Sequence, residues 1–260
     1  MNFLQLIEVD KIYANGVQAL RSVSLSIEPG SFTVILGPSG AGKSTLLRMI
    51  NGLDRPSSGR VVFNGNALAG GKLRQIRSQI GMVFQQFNLV DRLYVMTNVL
   101  CGRLSRRSLL STFFYLFPQK DFTIARHALT RVGLLDKAWQ RADTLSGGQQ
   151  QRVGVARALA QQPKLILADE PVASLDPVSS QEVLQLLKDI CVEDGITIIA
   201  NLHQVELAKQ YADRTIALNA GRIVFDGPPE QLSERVLHRI YHGEEKNVVP
   251  DIPALAVAYA

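Results

Sequence analysis

Three stretches of this 260-residue chain hold residue types that could do chemistry together. The first is Gly37-Pro38-Ser39-Gly40-Ala41-Gly42-Lys43-Ser44-Thr45. Glycines at 37, 40 and 42 let successive backbone N–H groups converge on one anion. A helix beginning near Lys43 would aim its unpaired N–H groups and positive dipole end at the same point. Lys43 is then expected at the β- and γ-phosphates of a nucleotide, and the Ser44 hydroxyl at Mg²⁺. The apolar run FTVIL before the loop and the helical pattern after it supply the context that this loop requires, and an ordinary glycine turn needs neither.

The second stretch is KLILADEP, a continuous apolar run ending in Asp169 and Glu170. Such a run reads as a strand buried on both faces of a parallel sheet, where ligands sit at the carboxyl end. Asp169 is expected to hold Mg²⁺ across from Ser44, and Glu170 to orient and deprotonate an attacking water. Alone, two acids after a strand could equally open a helix or line a loop. Beside a phosphate loop they mark a hydrolase rather than a passive nucleotide binder. The third stretch, Ser146-Gly147-Gly148, precedes a helix starting about Gln149 and offers another N-terminal anion site. By itself it would be a plain serine cap on a surface helix. The chain thus carries two phosphate grips for one evident nucleotide pocket.

These residues need a scaffold, and the pattern around them supplies one. Strand-like runs LQLIEV, SVSLSI and FTVILG come first, with Glu28-Pro29-Gly30 reading as a hairpin turn between the last two. RVVFNG is a further strand. A mostly helical block follows over about residues 90–153, and then LILAD, ITIIAN and RTIALNAGRIVFDG alternate with helical segments. Strands alternating with helices predict an α/β fold with a parallel sheet covered on both faces, interrupted by the helical block. Apolar content of 46% is ample for a core. No run approaches the roughly 18 apolar residues of a membrane span, and the N-terminus lacks the basic start of a secretory signal. Cys101 and Cys191 lack metal-like spacing and suggest reduced thiols in a cytosolic protein. A net charge of +5 suits a nucleic acid, an anionic membrane surface or a phosphate site equally, so charge does not choose.

Taken whole, LSGGQQQR resembles the signature motif of ATP-binding-cassette (ABC) ATPases, and it lies in the family's order between the phosphate loop and LILADE. The resemblance covers about residues 3–243, leaving 244–260 as a tail. It implies an ABC-type nucleotide-binding domain: a P-loop core with a parallel sheet, an antiparallel β sub-domain and the helical insertion. It implies ATP and Mg²⁺ as ligands and a homodimer in which Ser146, Gly147, Gly148 and Gln149 close over ATP held by the partner's loop. A two-fold axis would then explain the spare grip. Position by position, Tyr13 matches the aromatic that stacks on adenine, and Gln85 in GMVFQQ matches the glutamine that senses Mg²⁺ and the attacking water. Asp176 in ASLDP matches the loop that crosses the dimer interface, and His203 matches the switch histidine at the γ-phosphate.

One phosphate loop and no membrane span further resemble an importer-type subunit that works with separate permeases and, indirectly, a solute-binding protein. It would sit at the cytoplasmic face of the inner membrane. IGMVFQQFNLV, LADEPVASLDP and NLHQVELAKQYADRTIAL together resemble the ATP-binding subunits of phosphonate importers, and relatives importing phosphite or hypophosphite share nearly the same pattern. Two alternatives stay open. One is an accessory to carbon–phosphorus bond metabolism outside transport. The other, a soluble cassette ATPase on nucleic acid or ribosomes, usually has two cassettes or a coiled-coil insertion, and no nucleic-acid partner is expected here. Within the insertion, Phe113, Phe114, Tyr115, Leu116 and Phe117 beside Arg106 and Arg107 read as a packed helix or as part of a groove for a permease helix.

Overall fold

The computed structural model describes residues 3–107 and 117–243. Two sheets organise them. Strands β1 (Leu4–Ile12), β2 (Gln18–Ile27), β4 (Ser58–Phe63) and β5 (Asn66–Ala67) form an antiparallel sheet in the order β2-β1-β4-β5. The second sheet runs β10-β9-β3-β8-β7-β6, from β3 (Phe32–Leu36), β6 (Ile80–Val83), β7 (Leu165–Asp169), β8 (Thr197–Asn201), β9 (Arg214–Asn219) and β10 (Arg222–Gly227). Its strands are parallel except for β10, which returns antiparallel to β9 at one edge.

The apolar runs are continuous because this sheet has a core on each side. In β7, Ile166 and Ala168 enter one core while Leu165 and Leu167 enter the other. β8 divides likewise, Ile198 and Ala200 against Ile199. This is the two-residue strand period applied to a strand with no solvent face. Helix α1 (Lys43–Ile50) lies between the two sheets, burying Leu46, Leu47, Met49 and Ile50. The opposite core takes α3 (Val95–Leu100), α4 (Gln119–Arg131), α5 (Gly147–Ala160), α6 (Pro177–Asp194), α7 (Val205–Tyr211) and α8 (Glu234–His242). A short α2 (Leu73–Arg77) precedes β6.

One expectation is overturned. Glu28-Pro29-Gly30 does not close a hairpin, because β2 pairs with β1 whereas β3 pairs with β8 and β9. The turn carries the chain from one sheet to the other. β3 is buried at all five positions and so takes parallel neighbours on both edges, while β2 alternates buried and exposed residues as a half-covered strand does.

The helical block appears as expected, and α5 ties it to the main sheet. A buried ion-pair cluster closes its base. Asp121, at the start of α4 and fully buried, accepts from Arg103 Nε at 3.0 Å and also pairs with Arg107. Arg103 donates in addition to the Ala160 carbonyl at the end of α5, at 2.8 Å. Breaking a buried pair leaves an uncompensated charge, which typically lowers stability by about 3–5 kcal/mol. Asp121→Ala is therefore expected to lower the unfolding free energy by roughly that amount, measured by denaturant titration. An unchanged midpoint would show that the cluster contributes nothing to stability. Of the aromatic run, Phe113–Leu116 fall outside the described residues, as does the 244–260 tail. Phe117 is half-buried against the main core.

Candidate nucleotide and metal site

The central position of β3 decides where the chemistry collects. Residues 37–42 follow its carboxyl end, and the ends of β8 and β7 lie successively beside it. The loop is packed from behind. A Cβ on Gly37 (φ +144°) would sit 2.1 Å from the Leu218 carbonyl oxygen, and one on Gly42 (φ +105°) 2.5 Å from that of Ala19. Both positions need glycine for backbone conformation and for space. Ser39 and Gly40 form the exposed tip, with Pro38 half-buried and Ala41 buried below.

Helix α1 starts at Lys43, as the pattern predicts. The Lys43 ammonium is buried and folds back on its own loop, donating to the Gly37 carbonyl at 2.8 Å and to Pro38 at 3.0 Å. Burial lowers its pKa from the ordinary lysine value, and the nearby Glu170 and Asp169 carboxylates oppose that shift. An anion brought to this loop would supply the charge that burial makes desirable.

Ser44 Oγ donates to Asp169 Oδ1 at 3.0 Å, so the two residues expected at Mg²⁺ meet although 125 positions apart. Their donors are oxygens only, which fits a hard cation. Among the described residues no group of three or more His, Cys, Asp or Glu could enclose a metal. Mg²⁺ is usually held by one or two protein groups together with substrate phosphates. Glu170 follows in a left-handed conformation (φ 51°), and its Oε1 lies 2.6 Å from His203 Nε2.

Lys43, Ser44, Thr45, Glu170 and His203 line a cleft of about 420 Å³, with Asp169 bonded to Ser44 at its edge. Its far wall was not readable in the sequence: Gln18, Ala19 and Arg21 of β2, and the Ala220-Gly221 turn between β9 and β10. That turn is stitched in place, Gly221 N donating to the Ala41 carbonyl and Arg21 N to the Gly221 carbonyl. The Ala220-Gly221 pair could not show this contact in the sequence, because it joins segments far apart in the chain.

Other expected residues are placed apart from this cleft. Tyr13 is half-buried near it, its hydroxyl 3.2 Å from Thr45 Oγ1 and 3.1 Å from Asp54 Oδ2, with Lys11 Nζ 5.0 Å from its ring centre. Gln85 is exposed in the turn after β6 and does not line the cleft. Asp176 caps α6, accepting from the Val178 and Ser179 amides at 3.0 Å each. Bonds from Ser179, with the Val178 amide, hold its carboxyl below the ordinary aspartate value.

Ser146 caps α5 with a reciprocal pair: its Oγ accepts from Gln149 N, and Gln149 Oε1 accepts from Ser146 N. The helix begins at Gly147, two residues earlier than the pattern suggests. Ser146 and Gly147 are exposed and face none of the cleft. Gly148 is buried, where a Cβ would lie 2.8 Å from Ser179 Oγ, so this glycine is required by the packing of α5 on α6. Two buried amides were missed. Asn201 Nδ2 donates to Asp169 at 2.7 Å, and Gln151 Nε2 donates to the carbonyls of Phe84 and Pro171. Gln151 thereby joins α5 to the loops that follow β6 and β7.

Comparison with known proteins shows which family the chain belongs to. The family model described as ABC transporter matches residues 20–173. The chain is 60% identical over its full length to the full-length "Phosphonates import ATP-binding protein PhnC" of Thiobacillus denitrificans. It is 51% identical, over 96% of this chain and 91% of the relative, to the "Phosphite import ATP-binding protein PxtA" of Stutzerimonas stutzeri. Among solved structures it resembles cbiO1 of Clostridium perfringens, part of the ABC transporter complex cbiONQ, with TM-score 0.80, 32% identity and coverage of 92% and 93%. It also resembles the ATP-binding cassette MJ0796 in a dimeric post-hydrolysis state bound to ADP and Pi, with TM-score 0.75, 36% identity and coverage of 87% and 98%. The chain belongs to the ABC transporter family, as an ATP-hydrolysing, ATP-binding subunit.

Proposed function

We propose that this chain is the ATPase of a phosphonate importer, working as a homodimer on permease subunits at the cytoplasmic face of the membrane. The observation that carries the reading is the convergence of Lys43, Ser44, Glu170 and His203 on one cleft, with Asp169 bonded to Ser44, in a chain collinear with a phosphonate-import relative.

ATP lies with its γ-phosphate at Lys43 and the loop amides, and its adenine against Tyr13, a stack typically worth about 1–3 kcal/mol. Mg²⁺, when bound at Ser44 and Asp169, offsets the negative charge on the phosphate oxygens. Glu170 takes a proton from the attacking water as its oxygen bonds to the γ-phosphorus and the bond to ADP breaks. Until then His203 holds Glu170 at 2.6 Å, and its transfer to the γ-phosphate couples the base to the presence of ATP. The exposed Ser146–Gly147 end of α5 closes over the ATP held by a second copy. Asp176 crosses that interface, and Gln85 would approach the Ser44–Asp169 pair as the helical block moves. Closure spends binding energy on the permease, and hydrolysis resets it.

The permease docks in the groove of about 610 Å³ between α2, the 3₁₀ segment Cys101–Arg106 and α5, whose lining includes the exposed Arg74 and Arg77. Arg107 is engaged by Asp121, so charge reversal there would test the fold, whereas the groove arginines test docking.

A second cargo, phosphite, is favoured by the 51% identical phosphite-import relative. Growth with and without this gene on methylphosphonate, phosphite or phosphate as sole phosphorus source decides. Loss confined to methylphosphonate is the expected outcome, and loss confined to phosphite names the other cargo. Normal growth on all three would refute both.

A further inference from the structure

We infer that Asn201 is a positioning residue of the metal site, holding Asp169 in the orientation that Mg²⁺ requires and linking it to the Glu170 side of the cleft. The inference rests on the reading of this cleft as a Mg²⁺–ATP site.

Strand register brings the two residues together. β7 and β8 run parallel, and Asp169 pairs directly with Asn201 at their carboxyl ends. The Asn201 side chain is fully buried, and its Nδ2 donates to Asp169 Oδ1 at 2.7 Å. That same oxygen accepts from Ser44 Oγ at 3.0 Å. The carboxylate is thus fixed by two donors on one oxygen, leaving its other oxygen for the metal or its waters. A carboxylate oxygen only accepts, so the amide N–H₂ must face it and the amide oxygen must point elsewhere.

That amide oxygen, Asn201 Oδ1, is buried and has no hydrogen-bond partner among the described residues. A buried polar atom left unpaired is destabilising, so one at an active cleft calls for a partner. Asn201 borders a pocket of about 30 Å³ that also touches Glu170 and His203. The pocket has room for water, and Glu170 and His203 are the charged or titratable groups on its lining. Asn201 thus sits between Asp169, to which it donates, and the pocket that Glu170 and His203 also line. Asparagine is suited to this because one planar group donates on one side and accepts on the other. Leucine has the same bulk and can do neither.

Outer partners of metal ligands typically contribute 10–100-fold to metal affinity. The test is Mn²⁺ binding, followed by electron paramagnetic resonance, to the full chain saturated with a non-hydrolysable ATP analogue. Asn201→Leu is expected to weaken Mn²⁺ by about 10–100-fold, while binding of the analogue in EDTA changes less than about twofold. Should the leucine variant not fold, Asn201→Ala, which leaves room for water, is read in the same assay. In an Asp169→Asn chain, removing Asn201 should change Mn²⁺ affinity little further, because its action passes through Asp169. Unchanged Mn²⁺ affinity in the single variant would overturn the inference. So would an equal loss of metal-free nucleotide binding, which marks a general structural defect, or full additivity with Asp169→Asn. A parent chain that binds the analogue but no Mn²⁺ would overturn the reading of the metal site along with it.

Discussion

Glu170→Gln is expected to lower ATP turnover by roughly 10²–10⁴-fold, the usual contribution of a positioned general base, while nucleotide affinity stays within a few-fold of the parent. The amide keeps the shape of the side chain and can still meet His203, which lies 2.6 Å from the carboxylate. It cannot accept the water proton. Nothing in the loop at residues 37–42 or at Lys43 depends on Glu170 for a hydrogen bond. Binding and chemistry should therefore separate cleanly. Steady-state phosphate release and equilibrium binding of a fluorescent ATP analogue measure the two. Turnover at the parent rate would mean that Glu170 is not the base, and His203 would be the next residue to test. A parallel loss of affinity would mean that Glu170 shapes the site rather than acting on water.

Lys43→Ala should weaken nucleotide binding and, through it, turnover. The ammonium is buried, its pKa is lowered chiefly by burial, and it already uses two of its three donors on the Gly37 and Pro38 carbonyls. Truncating one member of a buried, hydrogen-bonded charge pair typically weakens binding by about 2–5 kcal/mol. At about 1.4 kcal/mol per tenfold, this corresponds to roughly 30- to 4,000-fold in dissociation constant. Calorimetric titration with ATP reads the loss, and thermal unfolding of the ligand-free variant checks that the loop survives. An affinity within threefold of the parent would remove Lys43 from the phosphate site.

The elements that position these residues were legible where burial is two-sided. LILAD and TIIAN read as strands because Leu165–Ala168 and Ile198–Ala200 each enter one of two cores, leaving no polar interruption within the apolar run. The chemistry at strand ends was legible for the same reason, since carboxyl ends of parallel strands gather at one edge. Contacts across that edge were not. Asn201 closes the Ala-Asn end of an apolar run, and nothing local reveals that its neighbour is Asp169 rather than Val83; strand order decides that. Gln151 sits among three glutamines, and only the packing of α5 selects it for the carbonyls of Phe84 and Pro171. The false hairpin at Glu28-Pro29-Gly30 has the same origin: turn chemistry shows that the chain reverses or bends, not which strands then pair. Ser146, Gln85 and Asp176 were found by motif, yet in a single chain they stand away from the cleft. In the proposed dimer, Ser146 and Asp176 would meet the partner's cleft.

That assembly is the central claim, and sedimentation velocity of the Glu170→Gln chain tests it most directly. With ATP and Mg²⁺ the variant is expected to sediment as a dimer, because closed sites form and are not consumed. Without nucleotide it should be a monomer. Adding Ser146→Arg to the same chain, at the exposed end of α5 and outside the cleft, should leave ATP bound but return the chain to monomer. A double variant that binds ATP and still dimerises would contradict closure of one chain's site by the other's Ser146–Gly148 segment.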